Sequence, residues 1–195
     1  MLWKKLSKIW SERTTELLYV VLIVAVARYG ALVLQFGSLR LSDLDRWVAW
    51  VFLPAGVGVI AALVVGTRVF PGVMFGSFLW NLSGHPMPLI DNFLLSLAGG
   101  AAPYLSLIIF RRLKRFRPGE VWRNYRLVDI VGFSAVHAVL NSGLNHGVFL
   151  LPVSARHFAW DSLLASIVGD FSGGLALFVL LNGLMLLAVW SIRRP

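Results

Sequence analysis

The sequence predicts an all-α polytopic membrane protein with about six transmembrane helices and with both termini in the cytoplasm. Three observations lead to this prediction: the apolar composition, the recurrence of long apolar runs, and the placement of the basic residues. The chain has 195 residues, 58% of them hydrophobic, and a mean hydropathy of +0.77. Apolar sequence in runs near 20 residues is typical of membrane-spanning helices rather than of a soluble globule. We expect one integral membrane domain over residues 1–195.

The predicted spans are separated by short segments that contain polar residues, glycine or proline. They are Leu17–Phe36, Trp47–Gly66, Val69–Leu82, Phe93–Phe110, Leu127–Leu151 and Ser162–Trp190. A basic cytoplasmic N-terminus, residues 1–16, comes before the first span. A basic cytoplasmic loop, residues 111–126, joins the fourth span to the fifth. The first apolar run is too long for a cleaved signal peptide, so we expect it to be retained.

The basic residues predict the orientation. With the N-terminus inside, the outer segments keep Arg40, Arg46 and Arg156, and Arg28 lies within the first span. This excess of inside charge is typical of a multi-pass protein of the bacterial inner membrane. It also explains the net charge of +9 without nucleic acid, which is not predicted as a partner. The other basic residues fall in cytoplasmic segments: Lys4, Lys5, Lys8, Arg13, Arg68, Arg111, Arg112, Lys114, Arg115, Arg117, Arg123, Arg126, Arg193 and Arg194.

No motif of a membrane enzyme is matched, so neither an enzyme nor a catalytic residue is predicted. Val168-Gly169-Asp170 follows Ile167 and so lacks the first glycine of the Gly-x-Gly-Asp motif of intramembrane aspartyl proteases. The chain has no cysteine, which excludes disulfides and thiolate metal ligands. Three histidines near the predicted outer surface, with aspartates nearby, lack the helical spacing of a metal site, so no metal or cofactor is predicted. These residues are His85, His146, His157, Asp91 and Asp161.

Charged residues at membrane depth are costly and are therefore the first candidates for function. Arg28 lies near the middle of the first span, and Asp170 lies about ten residues into the last. The simplest hypothesis is that the two meet as a buried ion pair. Such a pair either fixes helix packing alone or opens so that one partner binds a ligand.

The fifth span adds polar groups that share one helix face. His137, Asn141 and Asn145 are spaced i, i+4 and i+8. Asn81 is predicted at a similar depth in the third span, and Pro54 is predicted to break the outer half of the second, together with Gly56. The candidate ligand-binding residues of an outer-half polar pocket are Arg28, Asn81, His137, Asn141, Asn145 and Asp170. The alternative is that these groups only join helices by hydrogen bonds.

The run from Phe52 to Asn81 carries a family resemblance. Pro54 and Gly56, then Gly66 with Arg68, then Pro71-Gly72 and Gly76 follow one another as small residues and prolines in an apolar run. Far downstream, Gly169-Asp170 is followed by Gly173. This pattern resembles the bacterial membrane-associated sensor domain of the first class (MASE), although Phe52 and Leu53 stand where that family has Trp and Pro. The resemblance implies a sensor module, here as a short stand-alone version that signals through a partner.

Two other functions remain open at this point. Six spans in a short chain also resemble the substrate-binding subunits of energy-coupling-factor transporters, and Ala27 and Ala31 have the Ala-x-x-x-Ala spacing of their docking face. A membrane scaffold without a ligand is the third hypothesis. The predicted partners are the lipid bilayer, a membrane or cytoplasmic signalling protein and a small-molecule ligand, and a homo-oligomer fits the same sequence.

Overall fold

The structure, a computed structural model, describes residues 2–39, 43–45, 48–84, 88–114, 126–151 and 160–192. Within these ranges the chain is almost entirely helical, which confirms the predicted class. A π-helical segment, Leu34–Leu39, extends the first helix, and two short antiparallel strands, β1 (Asp43–Asp45) and β2 (Val48–Ala49), come before the second. The α-helices are α1 (Leu2–Val33), α2 (Leu53–Val65), α3 (Val69–Gly84), α4 (Leu89–Lys114), α5 (Leu127–Phe149) and α6 (Trp160–Ile192).

Five helical runs in the described part of the chain are long and apolar enough to cross a membrane. They are Thr14–Phe36, Leu53–Ser83, Leu89–Leu113, Leu127–Phe149 and Trp160–Leu184. The chain is therefore compatible with a membrane protein. The second and third predicted spans fall within the single run Leu53–Ser83, and Trp47, the predicted start of the second span, lies outside the described residues.

The run Leu53–Ser83 is not one straight helix. The ring of Phe36 lies 6.2 Å from the ring of Phe52 and 5.8 Å from the ring of Trp80, measured between centroids. A straight helix would separate residues 52 and 80 by about 42 Å, at 1.5 Å per residue. The chain therefore reverses at the 3₁₀ turn Gly66–Arg68, where Gly66 has a φ of 68° that favours glycine.

The reversal leaves two short limbs. Helix α2 has 13 residues and α3 has 16, which correspond to about 20 Å and 24 Å. Each is shorter than a hydrocarbon core of about 30 Å. The chain has six complete spans if both limbs cross, and four complete spans with a re-entrant hairpin if neither does.

The helices close into a ring. Helix α1 packs on α3, α3 on α4, α4 on α5, α5 on α6, α6 on α2, and α2 on α1. Helix α2 leans into the interior, where Ala55, Val59 and Ala62 are fully buried. The outward faces of the helices are apolar and exposed, as at Leu18, which is typical of a lipid-facing surface.

Helix α3 packs on α1 through its glycines. A Cβ atom on Gly72 would stand 2.6 Å from the Cβ of Val24, and one on Gly76 would stand 2.5 Å from the carbonyl oxygen of Ala25. Because no side chain fits there, the two backbones approach closely, as small residues four apart allow. This contact aligns Arg28 of α1 with α3.

Pro54, which was predicted to break the outer half of the second span together with Gly56, lies at the start of a helix, and residues 50–52 just before that helix are not helical. Helix α2 begins at Leu53, so Pro54 lies in its first turn, where the missing N–H has no helical partner to lose. Pro71 also lies in the first turn of its helix, α3. Both prolines therefore mark helix starts.

The start of α2 is capped from another helix. Gln35, in the π-helical segment after α1, is 1% exposed, and its Oε1 accepts a hydrogen bond of 3.1 Å from the backbone N–H of Leu53. We expect Gln35→Met to lower the free energy of unfolding by about 1 kcal/mol, because this buried N–H loses its acceptor. Unfolding of the detergent-solubilised protein measures the change. Leu34→Met, on an exposed neighbour, is the control, and equal stability of the two variants would contradict the capping role.

Candidate functional site

The buried carboxylate of Asp170 is held by α5. Its Oδ2 accepts two hydrogen bonds of 2.8 Å, one from Nδ2 of Asn141 and one from Oγ of Ser142. All three residues are at least nine-tenths buried. Both donors are neutral, so the hydrogen bonds orient the carboxylate without cancelling its charge.

Asn145 supports this contact from the next turn of α5. Its Nδ2 donates to the backbone oxygen of Asn141 at 2.8 Å and to the Oδ1 of Asn141 at 3.2 Å. With its Oδ1 engaged, Asn141 presents its Nδ2 to Asp170. Asn145 therefore does not touch Asp170 itself but holds the side chain of Asn141 that does, as the i, i+4 spacing suggested.

The side chain of His146, which was predicted at or near the outer surface, is buried between the end of α5 and the start of α6. It is 5% exposed, its Nδ1 lies 2.9 Å from the carbonyl oxygen of Ser142, and its Nε2 lies 3.2 Å from Oγ of Ser162. His85 and His157 lie outside the described residues.

Arg28 points into the bundle from α1. It is 6% exposed, its Nε donates a 3.0 Å hydrogen bond to Oγ of Ser77, and its guanidinium carbon lies 5.6 Å from the ring centroid of Phe52. Among the described residues, the two Nη groups have no hydrogen-bond partner. A Cβ on Gly99 of α4 would stand 3.9 Å from Nη2, so the space beside Nη2 exists because residue 99 has no side chain.

The direct ion pair between Arg28 and Asp170 is not formed, and the simplest hypothesis from the sequence is wrong. The Oδ2 of Asp170 is taken by α5, whereas Arg28 bonds to α3. Phe52 contacts both neighbourhoods, because its ring lies under Arg28 and its N–H donates a 2.9 Å hydrogen bond to the carbonyl oxygen of Gly169, the residue before Asp170. The two charges are still near enough to attract each other.

The segment Trp50–Phe52 brings non-helical backbone to the middle of α6. The Phe52 N–H bonds to Gly169, and Oγ of Ser172 donates to the carbonyl oxygen of Trp50. Both α6 residues lie in the interior of the apolar run Trp160–Leu184. At membrane depth, non-helical backbone is tolerated where it is buried in protein or lines a water-filled cavity. Helix α2 therefore starts well inside the bundle, beside Arg28 and Asp170.

The other two predicted site residues lie elsewhere. His137 is 2% exposed and its Nδ1 makes no hydrogen bond within the described residues. Its ring packs against α2, where a Cβ on Gly58 would stand 3.3 Å from Nε2. Asn81 is partly buried, and its Nδ2 donates to Oγ of Ser96 at 3.4 Å across the α3–α4 contact. Neither bonds to Asp170 or Arg28.

Three residues of the site were missed from the sequence. Ser142 is adjacent to Asn141 but one position off the predicted stripe, and Ser77 follows Gly76 within a stretch read as packing. Phe52 was read as a departure from a family motif. Ser142 could have been found from the sequence, because a polar serine at membrane depth next to Asn141 is a candidate by the same rule that selected Asn141. The places of Ser77 and Phe52 depend on the rotation of α1 and on the depth of α2.

The two segments that carry the MASE resemblance lie against each other. A Cβ on Gly56 would stand 2.6 Å from the carbonyl oxygen of Gly173, and one on Gly173 would collide with the backbone of Phe52. With the Phe52–Gly169 hydrogen bond, this joins the opening of the pattern to its downstream Gly-Asp.

Comparisons with models of known protein families, with curated proteins and with solved structures find no match for this chain. What the site does is therefore inferred from its geometry.

Proposed function

We propose that the chain is a sensor or receptor module of the bacterial inner membrane, with six spans and both termini in the cytoplasm. In this proposal it is a relative of the MASE domain. A small ligand with an anionic group binds Arg28 in the outer half of the bundle, and binding is reported to a signalling protein through helix contacts. No catalytic step and no cofactor are involved.

One observation carries the proposal, which is that the two Nη groups of the buried Arg28 have no hydrogen-bond partner among the described residues. A buried charge is expensive unless a counter-charge and hydrogen bonds satisfy it. The Nε has Ser77, but the Nη groups have no partner among the described residues, and Asp170 is kept from direct contact. A carboxylate or phosphate matches the guanidinium fork and supplies both the charge and the missing acceptors.

The contacts of Arg28 also suggest how binding is reported. Drawing the guanidinium toward a ligand would loosen its contact with the Phe52 ring, and Phe52 is tied to α6 through Gly169. The bound and free states would then differ in how α1, α2 and α6 pack. Helices α1 and α6 carry the two ends of the described chain, so a partner seated beside either helix would detect the change.

A transporter subunit is the second candidate, and one observation favours it. Ala27 is exposed on α1 while Arg28 is buried. The Ala-x-x-x-Ala face therefore presents no charge to a neighbouring protein. The pocket would be the same, and the coupled partner would be an ATPase module instead of a signalling protein.

Native mass spectrometry of the protein gently solubilised from its own host tests the function. We expect a bound small molecule on the wild-type chain that is absent from Arg28→Met, together with a signalling protein. Co-purified ATPase subunits would favour the transporter. If neither the wild-type chain nor Arg28→Met carries a small molecule, the proposal is overturned and a membrane scaffold without a ligand is the remaining function.

A further inference from the structure

The site holds two opposite charges, and this narrows the class of ligand. We propose that the ligand is a small zwitterion, with a carboxylate or similar anionic group on the Nη groups of Arg28 and an ammonium group at Asp170. This inference rests on the proposed function, because it names the ligand of the same site.

One oxygen of the Asp170 carboxylate is available as an acceptor for such a partner. Both of its hydrogen bonds within the described residues end on Oδ2, which leaves Oδ1 without a donor. The donors are a neutral amide and a neutral hydroxyl, so they fix the orientation of the carboxylate but bring no positive charge to it. An ammonium group supplies the missing charge and up to three N–H donors.

Neither a purely anionic nor a purely cationic ligand suits the site. A plain anion on Arg28 would place a second negative charge near the carboxylate of Asp170, and a plain cation at Asp170 would face Arg28. Charge repulsion of this kind is strong in an interior with little water. A molecule that carries both charges pairs with both groups and adds no net charge to the bundle.

Phe52 contacts Arg28 and the backbone beside Asp170, so it is close to both charged groups. Its ring already lies under the guanidinium of Arg28, and its backbone N–H is fixed to Gly169, the neighbour of Asp170. An aromatic face accepts the apolar part of a short amino acid, and it also attracts a cation. The site thus combines an anion-binding group, an aromatic ring and a cation-binding group.

A series of probes tests the inference on the purified full-length protein. The ω-amino acids from glycine to 5-aminopentanoate vary the separation of the two charges, and each is matched with its straight-chain carboxylate and its alkylammonium. We expect at least one amino acid to bind at least about tenfold more tightly than both of its matched compounds, since each lacks one charge-assisted contact. Calorimetric titration measures the affinities.

Two variants separate the inference from the function on which it rests. Asp170→Asn keeps acceptors for Asn141 and Ser142 but loses the charge, so it should lose the preference for the amino acid over the carboxylate. Gly99→Ala fits sterically, at 3.7 Å from Oγ of Ser77 and 3.9 Å from Nη2 of Arg28. It places a methyl group beside Nη2, so it should weaken binding of every probe with an anionic group. Gly143→Ala, where nothing lies within 4 Å, is the matched control.

The outcomes are distinct. If carboxylates bind wild type as tightly as the matched amino acids do, the zwitterion is wrong while an anion receptor stands. If no probe of the series binds, the zwitterion is also wrong, and the native mass spectrum decides whether any receptor function remains. Should Asp170→Asn fail to fold, equal binding of the amino acids to Gly99→Ala and to Gly143→Ala would still overturn the proposed position of the anionic group.

Discussion

Gly173→Ala is expected to lower the free energy of unfolding by more than about 3 kcal/mol, because the added methyl group has no space. A Cβ at this position would stand 2.9 Å from the backbone nitrogen of Phe52 and closer still to its carbonyl carbon and oxygen. These atoms are backbone and cannot rotate away as a side chain could. The substitution therefore forces α2 away from α6 and strains the hydrogen bond from Phe52 to Gly169.

Thermal or SDS-induced unfolding of the solubilised protein measures the loss. Gly183→Ala is the matched control, because it makes the same change in the same helix at a position where nothing lies within 4 Å. Alanine favours a helix over glycine by about 1 kcal/mol, so the control should be as stable as wild type or more so. If Gly173→Ala unfolds at the same temperature or SDS concentration as Gly183→Ala, the close contact between Phe52 and α6 is not a feature of the folded protein.

The sequence predicted helices well and their interruptions poorly. The start of α3 at Val69 and the start of α5 at Leu127 agree with the predicted spans, because apolar runs with polar or proline-containing ends mark helices in lipid. The second span was placed from Trp47, whereas α2 begins at Leu53. Hydropathy records that residues 50–52 are apolar, but it does not record that they enter the bundle as non-helical backbone bonded to α6.

The candidate site was predicted in its residue types more than in its contacts. The helical spacing placed Asn141 and Asn145 on one face, and α6 brings Asp170 to that face. The partner of Arg28 was not predictable, because the rotation of α1 and the depth of α2 decide whether its guanidinium meets Asp170, Ser77 or Phe52. Those are properties of helix packing, which a single sequence pattern does not encode.

Asp170→Ala is expected to cost about 2–4 kcal/mol of unfolding free energy, because it leaves two buried donors of α5, on Asn141 and Ser142, without an acceptor. Asp170→Asn is the matched control. Its side-chain oxygen still accepts from both donors, so it should stay within about 1 kcal/mol of wild type while it removes the charge. Unfolding in detergent measures both variants, and equal losses would mean that the charge, and not the hydrogen bonds, is what the fold needs.

The same variants tell a binding site from a structural ion pair. Arg28→Met and Asp170→Asn, alone and together, form a double-mutant cycle that isolates the interaction of the two charges. Because neither group bonds to the other, we expect a coupling energy, in the absence of ligand, below the roughly 3–5 kcal/mol that breaking a buried hydrogen-bonded ion pair costs. A coupling of several kcal/mol, with the double variant recovering what each single variant loses, would make the pair a packing device. A weak coupling leaves both charges unbalanced inside the bundle, and an unbalanced pair of buried charges is then best explained by a ligand that completes it.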